Sequence, residues 1–175
     1  MFDRKRLSLA GRRFVVDRRR LLAVLAGAAG GAIAIGIMEA YSMRTTYPLW
    51  AIPFATSIVT VLGSPAAEPA QPRALLGGHL LATLIGLLTV KACGPAPWAA
   101  ALAVGLAMVA MHLTGTFHPP AGIDPLVVVL NNMSWSFMLA PVGVGALLLT
   151  LFAYVWHNIV ARGPNKGDVW PARWW

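Results

Sequence analysis

The sequence predicts an all-α protein, a polytopic bundle of transmembrane helices with four full spans and two short or re-entrant segments. Of its 175 residues, 58% are hydrophobic and 11% are charged, whereas an ordinary soluble domain has about 25% charged residues. Six apolar segments follow one another, and four of them approach the ~20 residues that a helix needs to cross a bilayer. Tryptophan residues stand at several segment ends, where their rings favour the membrane interface.

The six segments divide into two triplets of similar pattern. Each triplet has a span rich in glycine and alanine, a short segment opened by proline, and a long span. The segments are 21–38, 51–62 and 74–90 in the first triplet, and 98–114, 121–130 and 135–157 in the second. Short segments at matching places in two halves are typical of a transporter's central site, so the pattern predicts a 3+3 inverted repeat.

The first segment follows a strongly basic stretch. Eight of the 14 Lys and Arg residues lie in the first 20 positions, and the stretch runs directly into apolar sequence. This favours an anchor beside anionic lipid over a nucleic-acid site. We therefore predict a basic cytoplasmic tail over 1–20, a transmembrane domain over 21–158 and a cytoplasmic tail over 159–175, in the cell inner membrane.

Two further features concern the first half of the chain. Gly27 and Gly31 have the GxxxG spacing that lets a second helix approach closely, and residues 39–48 are predicted to form a polar loop.

The second segment carries Ser57 and Thr60, which share one helical face. Their hydroxyls either bond their own backbone carbonyls or line a polar path, and the sequence leaves both interpretations open.

Ionisable residues inside apolar segments are candidates for a functional site. Four are present: Arg73, His79, His112 and Asp124. Arg73 follows a proline-rich linker over 66–73, so its side chain either serves the site or extends to the interface. His79, beside two glycines, is expected to bond a carbonyl of the last segment or to face a cavity.

Residues 115–125, GTFHPPAGIDP, interrupt the apolar pattern. Proline is tolerated in the first turn of a helix, so a short helix starting after His118 would aim free N–H groups into the protein and attract an anion. His118 adds a hydrogen bond or a titratable charge. The alternative is that the Pro119-Pro120 turn only starts a helix. Pro53 opens the other short segment in the same way.

Enzyme chemistry is not predicted. Asp124 and His118 could form an acid–base pair, but no nucleophile triad, phosphate-binding loop or redox centre is recognisable. His112 and His118 do not have the spacing of a helical metal pair, and the single cysteine, Cys93, excludes a disulfide within the chain and a cysteine-based metal cluster. We expect no cofactor and no metal.

GTFHPPAGIDPLVVVL, together with GSPAAEPAQPRALLGGHLLATLIGLL, resembles the HPP family of integral membrane proteins over about residues 48–158. The best-supported role in that family is nitrite transport, so the resemblance implies a transporter or channel for a small inorganic anion. The residues that match its motifs are Gln71, Pro72, Arg73, Gly78, His79, His118, Pro119, Pro120 and Gly122.

The leading hypothesis is a membrane protein that passes a small anion, with nitrite suspected, held by helix N-termini at Pro53 and at residues 119–120. Ser57, Thr60, His79 and His118 would supply side-chain donors, and a homo-oligomer is expected. Asp124 departs from the family's pattern, because its negative charge would repel nitrite unless it is paired or protonated. The alternative is a membrane assembly protein without transport.

Overall fold

The computed structural model describes residues 18–42, 52–161 and 169–174, and these residues form helices and turns without a strand. The helices are α1 Arg18–Ser42, α2 Ile52–Gly63, α3 Pro72–Cys93, α4 Pro97–Thr114, α5 Ile123–Leu130 and α6 Met138–Val160. Four of them, α1, α3, α4 and α6, are long and apolar enough to cross a membrane. The all-α prediction with four spans and two short helices is confirmed.

Several predicted features lie outside the described residues. These are the basic positions 1–17, the loop positions 43–48, position 51 of the second segment, and positions 162–168 and 175 of the tail.

The predicted boundaries differ from the structure at two helices. Residues 39–42 continue α1 instead of starting a loop, since neither glycine nor proline occurs there to end the helix. The last span begins as a π-helical turn and bends where Ala140 leaves helical geometry (φ −139°, ψ 118°) before Pro141. Proline has no N–H to continue the backbone hydrogen bonds, which explains the position of the bend.

The helices alternate in direction. A Cβ added to Gly27, in the first half of α1, would lie 2.5 Å from the Leu62 carbonyl oxygen at the end of α2. Trp156, near the end of α6, packs on Gly30, and the His157 ring lies 3.1 Å from the Val61 carbonyl. One end of the bundle therefore holds the starts of α1 and α3 and the ends of α2 and α6. The chain in α2 runs towards this end.

Small residues set the distances between helices. This is expected in a membrane, where helices associate by close packing and not by the hydrophobic effect. Gly86 of α3 lies against α5, since an added Cβ would be 2.8 Å from Pro125 Cα. Along α4, Ala99, Ala103 and Ala107 are fully buried. The GxxxG prediction is confirmed at Gly27, whereas Gly31 makes only an ordinary contact with Ile58.

The segment 169–174 packs on the bundle near α3. Trp170 is 3% exposed and donates its indole N–H to the Ala70 carbonyl at 3.2 Å. Asn158 bonds both backbone groups of Trp170, and Ala172 N–H donates to Gln71 Oε1 at 2.9 Å. This part of the predicted tail therefore belongs to the packed structure.

Candidate functional site

Four polar side chains form one hydrogen-bonded row inside the bundle, called here the buried network: Asp124, His79, Ser57 and His118. All four have no exposed surface. Asp124 Oδ2 lies 2.7 Å from His79 Nδ1, and His79 Nε2 lies 2.8 Å from Ser57 Oγ. Ser57 Oγ is also 2.9 Å from His118 Nε2, and His118 Nδ1 is 2.6 Å from the Pro69 carbonyl oxygen.

Each member comes from a different helix or turn. Ser57 lies one turn into α2, His79 lies in α3, Asp124 is in the first turn of α5, and His118 precedes the 3₁₀ turn Pro119–Gly122. Gly78 makes the convergence possible, because a Cβ there would lie 2.7 Å from His118 Cβ. The network therefore depends on the close packing of three chain segments that are far apart in sequence.

Two residues on one face of α3 contact Asp124 of α5. Thr83, one turn after His79 on the same face, donates to Asp124 Oδ2 at 3.3 Å. Asp124 Oδ1 is buried and has no hydrogen-bond partner in the described part of the chain. A buried polar atom without a partner is costly, so the close contacts of Oδ2 with His79 and Thr83 must hold the carboxyl group in place.

The distances restrict where hydrogens can lie. The Pro69 carbonyl only accepts, so His118 Nδ1 carries a hydrogen. If Ser57 donates to His118 Nε2, then His79 Nε2 must donate to Ser57, and His79 Nδ1 shares one further proton with Asp124. If Ser57 instead donates to His79 Nε2, then His118 Nε2 must carry a hydrogen and the His118 ring is a cation.

These arrangements contain the same number of protons and have no net charge. They differ only in the position of one proton, which belongs to Asp124, His79 or His118. Without that proton both Nε2 atoms would be acceptors, and the single Ser57 hydrogen would satisfy one of them. The geometry therefore allows one proton to move along the row through the Ser57 hydroxyl, which also lies 3.3 Å from the Pro53 carbonyl oxygen one turn earlier in α2.

Asp124, His79 and Ser57 are connected in the order of a serine nucleophile, its base and an orienting carboxylate. The sequence did not suggest this connectivity, because 22 and 45 positions separate the members. However, a second imidazole, that of His118, lies 2.9 Å from Ser57 Oγ, and Ser57 lines neither of the two cavities of about 350 and 340 Å³. Two imidazoles on one hydroxyl fit proton transfer along the row.

The structure brings four predicted site residues together and leaves others outside the network. The Thr60 hydroxyl donates to the Thr56 carbonyl at 2.9 Å, which is the backbone-bonding interpretation. Gly122 has open space around its Cα. Gln71 holds the 65–71 turn by donating to the carbonyls of Pro65 and Ala67. Pro119 and Pro120 form the turn that follows His118.

Arg73 lies at the rim of a cavity of about 350 Å³. One of its guanidinium nitrogens donates to the Thr114 carbonyl, and the group lies over Gly115, whose φ of +64° is left-handed. The cavity wall also includes Glu68, Pro69, His112, Phe117, Arg173 and Trp174. It therefore reaches the Pro69 turn that closes the buried network.

No group of three or more His, Cys, Asp or Glu side chains that could hold a metal ion occurs within 18–42, 52–161 and 169–174. The pairing of Asp124 with His79 was not foreseen either. The sequence suggested that His79 bonds a carbonyl of the last segment or faces a cavity, and that Asp124 could pair with His118. In the structure, His79 and Asp124 bond each other and so join α3 to α5. The signal in the sequence was the pair of buried ionisable residues at membrane depth.

Known proteins give two kinds of match. A family model described as HPP, transmembrane region, matches residues 15–165. Two transmembrane proteins of Dictyostelium discoideum are each 33% identical over 130 residues, which is 70% of this chain and 40% or 44% of the relative. The chain thus spans less than half the length of these relatives, and no solved structure matches it significantly.

Proposed function

Because this chain belongs to the HPP transmembrane family, we propose that it passes a small inorganic anion across the membrane, with nitrite as the substrate to test first. The observation that carries the proposal is the buried network. Polar and ionisable groups buried within a membrane protein are costly and usually mark a path for ions or protons. Here, four of them form a continuous row with one mobile proton.

The two short helices support a transport function. α2 has 12 residues and α5 has 8, which is roughly 18 and 12 Å at about 1.5 Å per residue. Both contribute to the network, as Ser57 in α2 and Asp124 in α5. Short helices at matching places in two halves, meeting at a polar centre, are the arrangement found around the binding sites of transporters.

The charge of Asp124 is compatible with an anion. Its carboxyl contacts His79 at 2.7 Å, and the proton arrangements in which Ser57 donates to a ring leave the network neutral, so an approaching nitrite meets no net negative charge. A nitrite oxygen can replace the Pro69 carbonyl as the acceptor of His118 Nδ1–H. In this proposal the 68–71 turn moves away from His118 to admit the anion, and one proton crosses with it. Transport, and not catalysis, is the activity proposed.

The orientation follows from charge. Arg18, Arg19, Arg20 and Arg73 lie at one end of the bundle, and Lys91 lies near the other end of α3. By the positive-inside rule, we place the arginine end and both chain termini in the cytoplasm, and the protein in the cell inner membrane. A homo-oligomer is part of the proposal, although the buried network is complete within one copy.

The first test is nitrite uptake into proteoliposomes by the wild type, His118→Ala and a matched control, His157→Ala. His157 contributes an imidazole to the same bundle, bonded to the Val61 carbonyl and outside the network. We expect saturable uptake by the wild type and the control, and uptake at the level of empty liposomes for His118→Ala. Chloride, formate and nitrate serve as competitors.

Two outcomes would contradict the proposal. Nitrite uptake by the wild type no faster than in empty liposomes would favour the membrane assembly protein. Equal uptake by His118→Ala and the wild type, at equal amounts of reconstituted protein, would remove His118 from the anion path.

A further inference from the structure

The cavity beside Arg73 is built from three separate parts of the chain. The 68–71 turn and the start of α3 form one wall, the α4–α5 connection forms a second, and the docked segment 169–174 forms the third. We call this cavity the vestibule. Its volume of about 350 Å³ lies in the range of small-ligand sites, ~300–1,000 Å³, and exceeds what a bare triatomic anion fills.

The charges on its wall favour an anion. Arg73 and Arg173 contribute two guanidinium groups and Glu68 contributes one carboxylate, which leaves the wall net positive. The ion pairs of the described residues include neither arginine. Arg73 uses one donor on the Thr114 carbonyl, and a guanidinium has five, so donors remain to hold an oxyanion.

The vestibule adjoins the buried network through one residue. Pro69 lines the cavity, and its carbonyl oxygen accepts from His118 Nδ1 at 2.6 Å. Phe117, the neighbour of His118, also lines it. An anion in the vestibule therefore lies on the other side of the Pro69 turn from His118.

We propose that the vestibule is an entry site for a small, hydrated inorganic oxyanion, formed by Arg73 together with Arg173 and completed by the docked segment 169–174. The anion binds there first and reaches His118 when the Pro69 turn moves. This inference rests on the proposed function for its role in transport, but the binding site itself does not depend on flux.

The docked segment is held firmly enough to place Arg173. Trp170 is buried and is bonded to Ala70 and to Asn158, and Ala172 is bonded to Gln71. Arg173 is the next residue. Its side chain is exposed to the cavity and not to the core, so its replacement does not disturb the packing that positions the segment.

The test is anion binding by purified protein in a neutral detergent, measured as broadening of the chloride NMR line, which is sensitive to weak sites. The variants are Arg173→Gln, Arg173→Lys and Arg73→Gln. The matched control is Lys91→Gln, which removes one exposed positive charge near the far end of α3. No transport is needed, so a failure of this site and a failure of the proposed function are distinguishable.

We expect the wild type and Lys91→Gln to broaden the line equally, and nitrite to reverse the broadening by displacing chloride. Arg173→Gln and Arg73→Gln lose most of the broadening, and Arg173→Lys keeps more of it than Arg173→Gln because the charge remains. Equal broadening by Arg173→Gln and the wild type would overturn the inference. Reversal by added phosphatidylglycerol but not by nitrite would also overturn it, since the site would then hold a lipid phosphate.

Discussion

Asp124→Asn is expected to leave the protein folded and to reduce nitrite uptake to the level of empty liposomes. The amide has the size of the carboxyl group, and its Nδ2 can donate to His79 Nδ1 and to Thr83 Oγ1. His79 Nε2 then donates to Ser57, and Ser57 donates to His118. Every hydrogen bond of the network is satisfied, but the mobile proton is gone.

The measurement pairs uptake in proteoliposomes with thermal unfolding in detergent. The four groups of the network keep their partners and only the Thr83 hydroxyl hydrogen loses its acceptor, so the free energy of unfolding should fall by about 1 kcal/mol. Asp124→Ala is the contrasting variant: it leaves His79 Nδ1 unpaired and should destabilise the protein by about 1–3 kcal/mol. Wild-type uptake by a well-folded Asp124→Asn protein would show that the proton on this network has no part in transport.

Ser57→Ala is the second change with a large expected effect. The Ser57 hydroxyl is the bridge between His79 Nε2 and His118 Nε2, at 2.8 and 2.9 Å. Its removal interrupts proton transfer and leaves two buried ring nitrogens without their partner, each costing about 1–3 kcal/mol. We expect both a loss of uptake and a lower unfolding temperature.

Thr60→Ala is the matched control for Ser57→Ala. It removes a hydroxyl from the same helix, one turn away, where the group bonds only the Thr56 carbonyl. Its stability should stay within about 0.5 kcal/mol of the wild type, with normal uptake. If Thr60→Ala and Ser57→Ala reduced uptake equally, the bridging role assigned to Ser57 would be wrong.

The helices could be predicted from the sequence because their signals are local. Apolar runs of sufficient length indicated α1, α3, α4 and α6. Proline marked the start of α2 and of the 3₁₀ turn Pro119–Gly122 that leads into α5. The close helix contact at Gly27 could also be predicted, because the absence of a side chain is visible at a single position of the sequence. The end of α1 was misplaced because polar residues such as Glu39 can still continue a helix.

The site was only partly predictable, because its contacts join distant positions. The residue types and the burial cost of ionisable groups indicated His79, His118, Ser57 and Asp124 as candidates. Their pairing depends on how α3 packs against α5 at Gly86, which no local pattern reports. The burial of Trp170 against Ala70, 100 positions away, was missed for the same reason, and with it the contribution of Arg173 to the vestibule.

Coupling of the anion to one proton is the central claim, and the most direct test is wild-type nitrite uptake under two separate driving forces. One proton and one nitrite together carry no charge. An outward-acid pH gradient should therefore accelerate uptake beyond that in empty liposomes, while a potassium–valinomycin potential at equal pH should not. Uptake that follows the potential and ignores the pH gradient would identify an uncoupled anion channel and contradict the account.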